Sequence, residues 1–231
     1  MNAVITGATK GIGRAVAEQL AAQGYDLYIC SRHDADLQET KKALESHGIQ
    51  CHTCAADLAK RADIERFVKA INAEWNQLDV LVNNAGVYLP GKVTEEEDGT
   101  LEKMLHVNLL SGYYITRGLL PALKSADRAY IFNMCSIASI LSLPGGGSYS
   151  ISKFAQLGWT KVLRDELKET QIAVTAIMPG ATWSASWEGV DLPEERLMQP
   201  TDIAECISAA LRMTPSAVME EIIVRPQLGD L

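Results

Sequence analysis

The chain has 231 residues, 47% of them hydrophobic and 22% charged, which is ordinary for one well-cored globular domain. Its 29 acidic residues outnumber 21 Lys and Arg, and the resulting net charge of −8 argues against binding nucleic acid or an anionic membrane, since both need clustered positive charge. Small molecules are the expected partners.

No apolar run approaches the roughly 20 residues that span a bilayer, and the opening MNAVITGATKGIG lacks the basic and apolar regions of a signal peptide. Five cysteines, an odd number, fit reduced thiols better than a disulfide framework, so a cytoplasmic location is expected. Cys51 and Cys54 form a CxxC around His52, but with no second Cys/His cluster nearby a packing role is expected there.

In chain order, strand-length apolar runs alternate with stretches of helical period: AVIT, GRAVAEQLAAQ, DLYIC, ADLQETKKALESH, IQCHTC and IERFVKAINAEW. The alternation continues through LDVLVNNAG, one helical segment LEKMLHVNLLSGYYITRGLLPAL, and AYIFNMCS. A long helix from about Tyr149 to Thr170, the strand IAVTAIM, a short helix after Pro200 and a last strand EIIVR complete the order. This predicts one α/β domain over 1–231, a doubly wound Rossmann-type fold with a seven-stranded parallel sheet and helices on both faces. The irregular stretch PGATWSASWEGVDLPEERLMQP carries two Trp and predicts a substrate lid at about 180–200.

The first strand runs into Thr6-Gly7-Ala8-Thr9-Lys10-Gly11-Ile12-Gly13 and then directly into a helix. Glycines permit a tight turn there and bring backbone N–H groups toward a pyrophosphate at the positive end of the helix dipole. The spacing is TGxxxGxG rather than GxGxxG, because Val16 occupies the third glycine position. The second strand ends in Ser31-Arg32, where an acidic residue would favour NAD. Arg32 offers a guanidinium fork to a 2′-phosphate with Ser31 and Lys10 in support, so NADP(H) is the expected cofactor. Asp34 and Asp36 are expected to cap the next helix.

Tyr149-Ser150-Ile151-Ser152-Lys153 places a phenol and an ammonium one turn apart on one helix face. Lys153, assisted by the positive nicotinamide ring, is expected to lower the Tyr149 pKa, and Tyr149 to exchange a proton with a carbonyl oxygen as a hydride moves. Ser136 would hydrogen-bond the same oxygen, and Asn108 would link a water to Lys153 as a proton path. Structural roles compete: a turn for Ser136, an inter-helix bond for Asn108, a helix-start aromatic for Tyr149.

Together these residues resemble the short-chain dehydrogenase/reductase family over nearly the whole chain. Asn108, Ser136, Tyr149 and Lys153 match its catalytic tetrad at the usual intervals, and Thr6 through Gly13 matches its dinucleotide motif. The resemblance further implies an adenine contact at Asp57-Leu58 and a fourth-strand motif at Asn83-Asn84-Ala85-Gly86. It also implies a nicotinamide-side turn at Pro179-Gly180, where Ser184 stands in the position of the family's Thr and Thr182 is the alternative. The Cys-Ser-Arg strand end, the lid and the tail MEEIIVRPQLGDL are closest in pattern to bacterial sepiapterin-reductase-like members. In such a member Trp183 or Trp187 would stack on a flat pterin, with Glu188 or Asp191 accepting from its amino edge; equally, the tryptophans would only exclude water.

The activity expected is NADPH-dependent reduction of a small ketone or dicarbonyl. A 3-ketoacyl-carrier-protein reductase is the enzymatic alternative, disfavoured because Glu95-Glu96-Glu97-Asp98 would repel an acidic carrier. A non-catalytic NADP(H)-binding regulator is the alternative of another class. The resemblance also implies a homodimer or homotetramer paired through the helices of Asn108 and Tyr149.

Overall fold

The computed structural model describes residues 1–184, 193 and 196–229. Seven parallel strands form one sheet: β1 (Asn2–Thr6), β2 (Asp26–Ser31), β3 (Cys51–Ala55), β4 (Val80–Asn83), β5 (Ala129–Met134), β6 (Ile172–Pro179) and β7 (Glu221–Val224), in the order β3-β2-β1-β4-β5-β6-β7. The helices are α1 (Gly11–Ala22), α2 (Asp34–Glu45), α3 (Arg61–Glu74), α4 (Thr100–Leu105), α5 (Ser111–Lys124), α6 (Gly147–Leu167) and α7 (Pro200–Leu211). None among the described residues is long and apolar enough to cross a membrane.

The near-continuous apolar strands follow from covering the sheet on both sides. Ala3 and Ile5 of β1 pack on one face with Val16 and Leu20 of α1, Leu37 of α2 and Ile203 of α7. Val4, between them, packs on the other with Phe67 of α3, Ile115 and Leu119 of α5 and Leu167 of α6. The same period of two separates Cys51 from Cys54, which join opposite clusters and share no face.

Two local departures from expectation bear on the site. The stretch read as one helix is broken by a π-helical turn, His106–Leu110, between α4 and α5, and this wider turn contains Asn108. Asp34 and Asp36 stand inside the first turn of α2, whose N-cap is His33 without a side-chain bond, so they complement the helix dipole rather than cap it. The strand order reverses at β1 and β4, and the crevice beyond their carboxyl ends is where ligands bind in open sheets of this kind.

Candidate active site

At that crevice the turn after β1 is built by glycines. Gly7 and Gly11 have φ of +66° and +53°, a region that L side chains rarely adopt. A Cβ on Gly13 would collide with the Gly7 carbonyl and the Asn84 amide, so only glycine allows this closure. Asn84 holds the turn onto β4: its Nδ2 donates to Thr6 O at 2.9 Å and Gly7 O at 3.0 Å. The Thr6 hydroxyl accepts from the backbone N–H of Asn84 and Ala85. The Asn84 amide nitrogen thus shapes the turn.

No side chain caps the amino end of α1, and no acidic residue occupies its first turn, so its positive end is open to an anion. Ile12 packs partly into the core behind it. Thr9 Oγ1 donates to Ser31 Oγ at 3.1 Å, joining the glycine turn to the end of β2. Lys10 and Arg32 are exposed, and neither has an ion-pair partner among the described residues.

Asp57 and Leu58, the expected adenine contact, also serve the protein's own frame. Asp57 Oδ1 accepts from Ala59 N at 3.1 Å in the turn before α3, its Oδ2 lies 3.7 Å from Lys60 Nζ, and Leu58 is buried in an apolar cluster. Beyond β6, Gly180 N donates to Val224 O and Thr182 Oγ1 donates to Gly180 O at 3.0 Å. A Cβ on Gly11 would lie 3.7 Å from Ser184 Cβ, so Ser184 leans over the glycine turn. Trp183 N donates to Met198 O. Trp187, Glu188 and Asp191, and with them most of the expected lid, lie outside the described residues.

On the other side of the crevice, α6 carries Tyr149 and Lys153. The Ser136 hydroxyl, at the end of β5, lies beside the Tyr149 phenol and favours its ionised form. Ser136 Oγ also accepts from Ala138 N at 3.1 Å, and Ser139 Oγ accepts from Ser136 N, so a reciprocal cap fixes the serine in place. The turn role and the site role coexist. Tyr88 stands edge-on to Tyr149, ring centroids 5.0 Å apart, and is itself partly exposed at the mouth.

Burial raises the Tyr149 pKa above the usual tyrosine value, and the nearby Ser136 hydroxyl only partly offsets this. Protein groups alone therefore do not produce the expected lowering by Lys153, whose Nζ is 5.8 Å from the Tyr149 ring centroid. Lys153 is 4% exposed and burial pushes its pKa down to about 8. Its Nζ donates to Met134 O at 2.8 Å and to Gln156 Oε1 at 2.9 Å.

Asn108 does not reach Lys153 by a direct bond. Its Oδ1 accepts from Val87 N at 2.7 Å, and its Nδ2 donates to Val87 O at 3.0 Å and Ser152 Oγ at 2.9 Å. The widened turn around Asn108 lets it clamp the chain leaving β4. Gly86 sits beside it, where a Cβ would lie 3.4 Å from Asn108 Oδ1 and 3.8 Å from Lys153 Nζ.

Glu96, one member of the acidic run Glu95–Asp98, is a clasp. Its carboxylate accepts from Ser148 N at 2.9 Å and from the Ser148 hydroxyl, one residue before Tyr149. Gly91 and Gly146 pair beneath it in a parallel bridge. The first turn of α6 lacks a side-chain cap from its own N-cap, Gly146, and Glu96 supplies that charge from a distant loop. Glu95 is paired with Lys92 at 2.9 Å, so the run offers a carrier protein less free charge than its sequence implies.

The sequence profile of the short chain dehydrogenase family matches residues 1–194. The chain is 31% identical to a sepiapterin reductase of Chlorobaculum tepidum over 99% of its own length and 97% of that protein's. It is 31% identical to a diacetyl reductase, (S)-acetoin forming, of Staphylococcus epidermidis, covering 90% of this chain and 81% of that one. Among solved structures it is similar to an alcohol dehydrogenase of the archaeon Thermococcus sibiricus complexed with 5-hydroxy-NADP, with a TM-score of 0.90, 27% identity, and 100% and 98% of the two chains covered. With its strand order, glycine turn and Ser136, Tyr149 and Lys153 in one crevice, the chain belongs to the short-chain dehydrogenase family.

Proposed function

We propose that this oxidoreductase uses NADP(H) to reduce the carbonyl of a small molecule, with Tyr149 as the proton donor. The observation that carries the reading is the Ser136 hydroxyl beside the Tyr149 phenol, with Lys153 one helical turn below, in the crevice that begins at the Gly7–Gly13 turn. That turn fits a dinucleotide: it closes over a position where a Cβ cannot sit, and it leaves the start of α1 uncapped. Arg32 and Lys10, exposed at the ribose end, supply charge for a 2′-phosphate, and the archaeal relative's complex with an NADP derivative supports the same choice.

When bound, the nicotinamide supplies the hydride. Ser136 orients the substrate oxygen and stabilises its growing negative charge, held for that task by its own turn. Tyr149 delivers the proton to that oxygen. A phenol whose pKa is raised by burial keeps its proton at neutral pH, which suits the reduction direction. Lys153 contributes a positive charge beneath the phenol that steadies the tyrosinate left behind. Asn108 fixes Val87 and Ser152, and so the wall that faces Tyr149.

Small ketones and dicarbonyls, including a pterin side chain, are the proposed substrates, in keeping with the names of the two reductases it resembles. A homodimer or homotetramer through α5 and α6 is proposed as well, supported by Ile151, Phe154 and Val162 exposed on α6. The test follows NADPH absorbance with diacetyl, a pterin ketone and an acetoacetyl thioester. Turnover of a small carbonyl that Tyr149→Phe abolishes, with NADPH affinity retained, is the expected result. Undiminished turnover in that variant removes Tyr149 from the reaction, and bound NADPH without turnover of any carbonyl favours a binding protein.

A further inference from the structure

A buried ammonium needs acceptors, and Lys153 finds two: the carbonyl of Met134 and the side chain of Gln156. Gln156 lies three residues further along α6, is 1% exposed, and reaches the site only through Lys153. A long polar side chain in a helix interior facing the sheet is a liability unless its amide is used. Here it is used on Lys153, and the same residue is tied to the sheet from behind. Thr160 Oγ1 donates to Gln156 O at 2.7 Å and accepts from Asn133 Nδ2 at 2.9 Å. Asn133 Oδ1 accepts from Asn83 Nδ2 at 2.9 Å, and Asn83 Nδ2 also donates to Thr116 Oγ1 at 3.0 Å. A row of buried polar side chains thus runs from α5 across β4 and β5 to the underside of the site.

We propose that Gln156 is a positioning residue for the reaction: its side-chain carbonyl holds one N–H of Lys153, aims the ammonium and keeps it protonated without neutralising it. The inference deepens the reading above, in which the Lys153 charge assists Tyr149. A carboxylate in that place would hold the proton more tightly and cancel the charge; an apolar side chain would leave a buried cation with one acceptor fewer. An amide carbonyl does neither. Burial holds Lys153 at about 8, so its protonation is poised and sensitive to each acceptor. The titratable groups around it are the Cys135 thiol from the end of β5 and the Tyr149 phenol on its own helix, with Tyr88 on the far side of that phenol. No carboxylate pairs with Lys153 among the described residues.

The experiment compares the full-length protein with Gln156→Met, a near isostere, and Gln156→Glu. Two readouts are taken: titration of Lys153 by NMR of isotope-labelled lysine, and the alkaline limb of kcat against pH. Losing one hydrogen bond to a charged group should move the Lys153 titration down by about one pH unit in Gln156→Met, and the carboxylate should move it up at least as far. The alkaline limb of kcat should follow in the same two directions, with KM for NADPH nearly unchanged. A Lys153 titration that stays put in both variants overturns the inference, and if Gln156→Met fails to fold, an unmoved titration in Gln156→Glu does so alone. The NMR titration reads the hydrogen bond whether or not the enzyme turns over. Lys153→Met with full activity would therefore refute the catalytic reading while leaving the Gln156 result standing.

Discussion

Lys153 should reveal itself through stability before any substrate is known. Its side chain is almost wholly buried, and its pKa falls from 10.5 to about 8 on folding. Below pH 8 the lysine is charged in both states and the full burden of burying it is present. Between about 8 and 10.5 the folded protein has released the proton while the unfolded chain still binds it, so stability rises with pH. At about 1.4 kcal/mol per pH unit, the interval corresponds to about 3 kcal/mol in total. Replacing Lys153 with Met removes this dependence. Cys30 and Cys51, both pushed up to about 12 by burial, pull the other way above pH 9, because the unfolded thiols ionise first. They are the same in both proteins and cancel in the difference. Urea unfolding of wild type and Lys153→Met, at steps from pH 7 to 10.5, should show wild type gaining about 3 kcal/mol on the variant across the range. A difference that is flat with pH would refute the buried, proton-poised lysine on which the mechanism depends.

Three further outcomes follow from the geometry. Arg32→Ala should weaken NADPH about 10- to 100-fold and NADH far less, as read by nucleotide fluorescence titration; equal losses would place the 2′-phosphate elsewhere. Gly13→Ala drives a Cβ into the Gly7 carbonyl and the Asn84 amide, and should lower stability by about 1–3 kcal/mol and impair nucleotide binding in the same samples. Normal affinity in that variant would mean that the turn is not the nucleotide site. Glu96→Ala removes two acceptor contacts from Ser148 at the head of α6, and should lower the unfolding free energy by about 1–2 kcal/mol and reduce kcat through Tyr149; unchanged kcat would limit Glu96 to stability.

The strands were legible because burial on both faces leaves runs such as YIFNM or AVTAIM with few alternatives, and glycine at positions 7, 11 and 13 announced a turn that only glycine closes. Tyr149 and Lys153 were legible because helix periodicity alone puts them on one face. What escaped detection depended on contacts distant in sequence. The π-helical turn at His106–Leu110 has the same apolar spacing as an unbroken helix, and only the pull of Val87 and Ser152 on Asn108 sets it apart. Glu96 looked like its acidic neighbours until the loop brought it against Ser148. Gln156 had a sequence signal, a long amide among core positions of a helix, but nothing local indicated that its acceptor would meet Lys153.

The polar row under the crevice constrains how this sequence can drift. Asn83, Asn133, Thr116 and Thr160 sit on two strands and two helices and satisfy one another, while Asn83 Oδ1 is already without a partner. Changing one member alone strands another donor in a dry interior, so tolerated substitutions should come in matched sets, coupled across elements that lie far apart along the chain.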